Sequence, residues 1–83
     1  MKYIAEIDIM PLKELLDPQG KTITSNLPHI GIDGVEDMRV GKHIIMTFES
    51  ADDASAESLV QEACEKLLAN KIMEYYTFSI AKA

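Results

Sequence analysis

Two short stretches of this chain bring together side chains that could do chemistry. Asp17-Pro18-Gln19-Gly20-Lys21 sets a carboxylate, an amide, a glycine and an ammonium within five positions. Arg39-Val40-Gly41-Lys42 sets two cations around a glycine. The first invites comparison with a phosphate loop, where backbone amides cradle the phosphates and a lysine reaches them. That comparison fails, because Leu15 stands where the upstream glycine belongs. Its local chemistry is that of a helix start: Asp17 can accept from the free amides of the first turn, and Pro18 suits the first helical position. The second stretch could hold a phosphate or a partner's carboxylate. Arg39, the sole arginine, forms bidentate pairs that lysine cannot, and a plain surface salt bridge competes with that use.

The remaining reactive types are sparse. His29 and His43 are the two imidazoles, and neither has a sequence-adjacent partner for acid–base work, so surface or partner-contact roles are expected. Cys64 has no CxxC partner and lies beside an apolar stripe, which makes it a small buried hydrophobe. Asp33, Glu36 and Asp37 could attract magnesium but read first as a solvated turn. Gly31-Ile32-Asp33-Gly34 lacks dinucleotide-fingerprint spacing. No catalytic residue and no metal site is expected, and the chain reads as a binding or assembly module.

The elements that must position these residues follow from periodicity. Lys2 to Met10 alternates, with Tyr3, Ala5, Ile7 and Ile9 on one face, and Pro11 ends the strand or lies at an edge. A helix is predicted from Pro18, with Ile23, Leu27 and Ile30 as a narrow stripe. Pro28 must kink or end it. Gly31 to Gly34 is a turn. Val35–Val40 and His43–Glu49 are strand candidates joined at Gly41-Lys42, where a leading glycine suits a type II′ hairpin. Ser50 to Asp53 caps a second helix striped by Ala56, Leu59, Val60, Ala63 and Leu67, with Asn70 as a left-handed terminator. Ile72 to Ala81 alternates as a last strand. The order β-α-β-β-α-β predicts an α+β, ferredoxin-like fold: a four-stranded, mainly antiparallel sheet with two helices on one face. The uncovered face would carry Ile4, Ile45 and Tyr75 or Tyr76, and it or a strand edge is expected to pack against another copy.

Bulk properties narrow the partners. At 83 residues there is room for one small domain, spanning 1–83. A net charge of -6 disfavours nucleic acid, whose phosphates need clustered Lys and Arg. One cysteine excludes an internal disulfide and fits a reducing cytosol. No apolar run has the length of a signal peptide or a membrane span.

Leu16-Asp17-Pro18-Gln19-Gly20-Lys21, Asp37-Met38-Arg39-Val40-Gly41-Lys42 and Cys64-Glu65-Lys66-Leu67-Leu68-Ala69-Asn70 occur in that order. Together they make the chain resemble PurS, the small subunit of phosphoribosylformylglycinamidine synthase, over essentially its whole length. The resemblance implies a cytoplasmic accessory subunit of a ligase in de novo purine synthesis, without catalytic residues of its own. It implies that PurL binds ATP, with magnesium, and formylglycinamide ribonucleotide, and that PurQ releases ammonia from glutamine. The small subunit would bridge the two, assist ammonia transfer and self-associate to a dimer or tetramer. Asp17, Pro18, Gln19, Gly20, Arg39, Gly41 and Lys42 would take assembly or structural roles. The alternative is a small ferredoxin-like ligand-binding regulatory module using a pocket near Arg39.

Overall fold

Strict alternation dictates the first strand. In the computed structural model, which describes residues 1–15 and 17–83, Lys2–Pro11 form β1, and Tyr3, Ala5, Ile7 and Ile9 are all buried. Leu16, which leads the first family-like motif, lies outside the described residues. Two further strands, β2 (Lys42–Glu49) and β3 (Glu74–Lys82), flank β1 antiparallel in the order β2-β1-β3. The register sets Ile7 between Ile44 and Phe78, and Ala5 between Met46 and Ile80. These residues share the inner face of the sheet, because side chains alternate along each strand.

One helix covers the middle of that face. Asp52 caps α2 (Asp53–Ala63) by accepting the Ser55 amide at 2.8 Å, and α2 lays Ala56 and Val60 on β1. The helix then widens into a π turn over Cys64–Leu68. The wider turn carries one residue more than an α turn, which resets the periodicity. Cys64 and Leu68 join the core, while Leu67, predicted for the apolar stripe, is 81% exposed. Asn70 is not left-handed, since no residue other than glycine has a positive φ among the described residues. It builds a turn instead: its carbonyl accepts the Met73 and Glu74 amides, and its own amide donates to Glu74 Oε1.

The four-stranded ferredoxin-like sheet requires correction to three paired strands within the chain. Val35–Val40 is not paired, and no hairpin forms at Gly41-Lys42. The Val40 amide donates to the Asp17 carboxylate, and Arg39 donates to carbonyls at the end of β1, so this segment is tied to the β1–α1 connection. Gly41 presses on the Ile9 carbonyl and the Met10 sulfur, where any Cβ would overlap both. Strand β2 is therefore entered from the end of β1.

The second correction concerns α1 (Pro18–Asn26). It was expected to cover the sheet, yet Gly20 is its only buried residue. As Pro28 required, the α-helix ends early, at Asn26, and continues as a 3₁₀ turn over Leu27–Ile30, closed by Gly31 at φ +84°. Gly34, at φ +87°, completes the reversal. Residues 18 to 37 thus form an arm. The molecule measures 51 × 26 × 14 Å. Its radius of gyration is 16.6 Å; a compact chain of this length would give about 12 Å.

The outer face carries Ile4, Ile45 and Tyr75 as expected, whereas Tyr76 points inward with Phe78. Tyr75 is opposite Met10, six residues from Ile4 along β1, or about 20 Å. Glu6, Asp8 and His43 fill the middle of the face, so its apolar residues do not form one patch.

Candidate functional site

The residues singled out at the two motifs meet at one end of the sheet. Asp17 is extended, with φ -110° and ψ 90°, and Pro18 opens the helix behind it. Asp17 Oδ1 accepts the Gly20 amide at 3.0 Å, and Oδ2 accepts the Val40 amide at 2.8 Å. These amides, Gly20 first and Val40 second, hold the carboxyl below the usual carboxylate range, and Arg39 adds to the effect. Gly20 is fixed by contact as well. A Cβ there would overlap the Met38 carbonyl oxygen and crowd Asp17.

Arg39 completes the junction from the other side. Its guanidinium donates to the carbonyls of Lys13 at 3.1 Å, Pro11 at 3.2 Å and Leu12 at 2.5 Å. Leu12 in turn donates its amide to Met73 O at 2.8 Å, which carries the tie to the entry of β3. Lys42 Nζ lies 3.7 Å from Glu74 Oε2, across β1. Pro18 and Gln19 are exposed on the first turn of α1. Of the seven residues, Asp17, Gly20, Arg39 and Gly41 are thus drawn into one junction, Lys42 borders it, and Pro18 and Gln19 face outward.

This arrangement fastens backbone. Both Asp17 oxygens are engaged, so the group is poorly suited to proton transfer. Arg39 spends its fork on carbonyls, neither on a phosphate nor on the surface salt bridge weighed from sequence. Gly20-Lys21-Thr22 does match the end of a phosphate loop, including the Thr that follows the Lys. Yet the Asp17 carboxylate occupies the place of the anion, and the Thr22 hydroxyl donates to Pro18 O at 2.9 Å. An open cleft of about 390 Å³ adjoins the junction between Pro18, Val40, Lys42, Asn70 and Glu74. Its lysine is already paired with Glu74.

Sequence reasoning missed three polar groupings. His43 Nδ1 lies 2.6 Å from Asp8 Oδ1, and Nε2 lies 3.6 Å from Glu6 Oε1. The hydrogen bond to Asp8, followed by the charges of Asp8 and Glu6, raises the imidazole pKa. The signal was present: Glu6 and Asp8 share one strand face, but the partner strand had to be known. The Tyr3 hydroxyl donates to Asp53 Oδ1 at 2.8 Å, and burial with that bond pushes it up to about 12. The Tyr76 hydroxyl donates to Glu65 Oε2 at 2.6 Å and is likewise pushed up to about 12, chiefly by that bond. Both phenols therefore stay protonated at neutral pH. Burial pushes the Cys64 thiol up, in keeping with its packed role. Among the described residues, no group of three metal-ligating side chains comes together, and no helix is long and apolar enough to cross a membrane.

Fold and junction together define a small α+β protein, with two helices and a three-stranded antiparallel sheet, whose specially placed polar groups tie loops and aim an arm. Residues 4–82 match the family model described as PurS, phosphoribosylformylglycinamidine (FGAM) synthase. The chain is 38% identical over 78 residues to the phosphoribosylformylglycinamidine synthase subunit PurS of a Synechocystis strain, covering 94% of this chain and 78% of that one. It superposes on the Bacillus subtilis PurS structure with a TM-score of 0.87 at 34% identity, covering 96% and 99% of the two chains. Against a chain of the PurLQS structure from Thermotoga maritima the TM-score is 0.88 at 30% identity, covering 98% and 99%. The chain belongs to the PurS family, the subunits of phosphoribosylformylglycinamidine synthase in purine biosynthesis.

Proposed function

We propose that this chain is the non-catalytic subunit that joins PurL to PurQ, so that ammonia released from glutamine reaches the synthetase site. One observation carries this reading: the near full-length match to a chain of the PurLQS structure of Thermotoga maritima. ATP and magnesium would be used by the complex through PurL, and the whole would work in the cytoplasm. The chain folds as one unit over 1–83 and self-associates. Asp17, Gly20, Arg39 and Gly41 serve assembly indirectly, by fixing where α1 leaves the sheet. Pro18, Gln19 and Lys42 supply exposed surface at the same place.

The geometry favours this reading over a ligand-binding regulatory module. Such a module would need Arg39 free to meet a ligand, and its guanidinium is committed to three backbone carbonyls. The test is co-purification of this chain with its own PurL and PurQ, with and without nucleotide and glutamine. Joint elution and restored glutamine-dependent synthesis are expected. Full glutamine-dependent activity from PurL and PurQ alone, or failure to bind either under every condition, overturns the proposal.

A further inference from the structure

We infer that the cavity between α2 and β3 binds a free α-amino acid with an apolar side chain. Asp53, Glu57 and the Tyr3 hydroxyl oxygen take its ammonium, Lys82 takes its carboxylate, and Phe78 and Ile80 take its side chain. The site lies at the Tyr3 end of the sheet, about 27 Å along β1 from the junction at Pro11. It uses neither Arg39 nor a surface of PurL or PurQ, so it goes beyond the functional reading and does not rest on it.

The cavity follows from how α2 crosses the sheet. The helix lays Ala56 and Val60 on β1 and leaves part of β3 uncovered. The open cavity there measures about 560 Å³. Small-molecule sites commonly have about 300–1,000 Å³. The floor is apolar. Phe78 and Ile80 point inward opposite the buried Ile7 and Ala5, yet both are only half-buried, because the cavity lies over them.

The two walls carry unspent charges of opposite sign. Asp53 and Glu57 are four positions apart, on the one face of α2 that borders the cavity. Lys82 is opposite Tyr3 in the register, so its side chain leaves from the inner face of β3. Among the described residues neither Glu57 nor Lys82 forms an ion pair. Asp53 spends only Oδ1, which accepts the Tyr3 hydroxyl at 2.8 Å. The next acids along the chain differ: Glu62 pairs with Lys66, and Glu65 with Lys71. At the cavity, carboxylates and ammonium border the same space without closing on each other. A zwitterion between them satisfies both.

The acceptors match the ligand in number. A primary ammonium has three donors. Asp53 Oδ2, the Glu57 carboxylate and the Tyr3 oxygen are three acceptors. The Tyr3 phenol, pushed up to about 12, keeps the proton it donates to Asp53 and retains acceptor capacity on its oxygen. A simple amine would leave Lys82 unanswered. A simple carboxylic acid or a phosphate would meet two like charges. A free α-amino acid answers both walls, and the floor of Phe78 and Ile80 selects an apolar side chain.

The experiment is an NMR titration of the labelled full chain with L-phenylalanine. Two analogues run beside it: phenethylamine, which lacks the carboxylate, and N-acetyl-L-phenylalanine, which lacks the ammonium. A ligand this small should bind with a dissociation constant on the order of 1 mM. Saturable shifts are expected at Asp53, Glu57, Phe78, Ile80 and Lys82, and none at Lys42 or Glu74 in the junction cleft. Each analogue should bind about tenfold more weakly, the loss of one charge-assisted contact. Glu57→Gln and Lys82→Met should each weaken L-phenylalanine by a similar factor with unchanged circular dichroism. Lys82→Met should leave phenethylamine binding as it was, which a structural disturbance would not. No saturable shift at about 10 mM overturns the site. So do phenethylamine binding as tightly as L-phenylalanine, affinity unchanged in both variants, or shifts centred on the junction cleft.

Discussion

The carboxylate of Asp17 and the amide of Val40 join at 2.8 Å across 23 positions of sequence, while the other Asp17 oxygen caps α1 through Gly20. One side chain thus starts a helix and tethers the returning segment to it. The two ends of the arm leave the sheet at a shared point. Any change at Asp17 alters the direction of the arm as well as the first turn of the helix.

Asp17→Ala should lower the melting temperature by roughly 4–8 °C, the effect of losing one good cap in a small chain. Asp17→Ser separates the two roles: a serine reaches the Gly20 amide, but it has no second oxygen for Val40. Hydrogen exchange should therefore accelerate at Val40 in Asp17→Ser while residues 21–24 stay protected. Equal acceleration in both places would refute the double role. The folded carboxyl titrates below its usual value, so its contribution is fully present above the ordinary carboxylate pKa of about 3.9. It is lost as pH falls through the lower folded value. Wild type and Asp17→Ala should therefore converge in stability only in strong acid.

Arg39→Lys keeps the charge and removes the fork. An ammonium cannot reach the carbonyls of Pro11, Leu12 and Lys13 together, so a loss of about 1–2 kcal/mol is expected. Urea unfolding gives the size of the loss. Backbone chemical shifts should change at residues 11–13 and 38–41 and stay fixed in α2. A variant as stable as wild type would mean that the charge alone suffices.

How far the sequence could be read depends on the distance over which each signal acts. Alternation at Tyr3, Ala5, Ile7 and Ile9 is local, and the strand forms as written. The Asp17 and Asp52 caps and the helix end forced by Pro28 are local too. Val35–Val40 is different. Its strand pattern needed a neighbouring edge, and the segment is held instead by the Asp17 carboxylate, which accepts from Val40, and by the Pro11, Leu12 and Lys13 carbonyls, which accept from Arg39. Leu67 left its stripe because one π turn shifts the phase, which no α-helical periodicity contains. At the candidate site the residues were legible, since Asp17, Gly20, Arg39 and Gly41 do converge. Their targets were not, because they are backbone groups, which carry no sequence signature.

Gly20→Ala sets two effects against each other. Alanine improves helix propensity by about 1 kcal/mol over glycine in a helix interior. Its Cβ also falls on the Met38 carbonyl oxygen, which is backbone and cannot swing aside. Overpacking of this kind costs about 1–3 kcal/mol, so net destabilisation is expected, together with release of residues 38–40. Gly31→Ala is the control: nothing lies within 4 Å of its Cβ, and the cost there comes from its φ of +84° alone. Calorimetry of both variants, with hydrogen exchange at Val40, tells them apart. Gly20→Ala leaving Val40 protected would remove the contact from the account of the junction.

His43 gives a pH dependence opposite in sign to that of Asp17. Its imidazole, on β2, lies between Asp8 and Glu6 of the neighbouring β1, and the hydrogen bond to Asp8 raises its pKa above the usual value. Folding therefore favours the protonated ring. The contribution is complete below the unfolded-state value of about 6.5 and disappears as pH rises through the raised folded value. Wild type should lose stability across that window relative to His43→Gln, whose side chain does not titrate. The ring is half exposed, so salt should shrink the difference. Unfolding midpoints of both proteins from pH 6 to 9, at low and high salt, supply the measurement, and NMR titration of the ring fixes the folded pKa directly. Wild type gaining on the variant as pH rises would mean that the ring favours its neutral form on folding. The carboxylates at positions 6 and 8 would then have to be held apart by solvent alone.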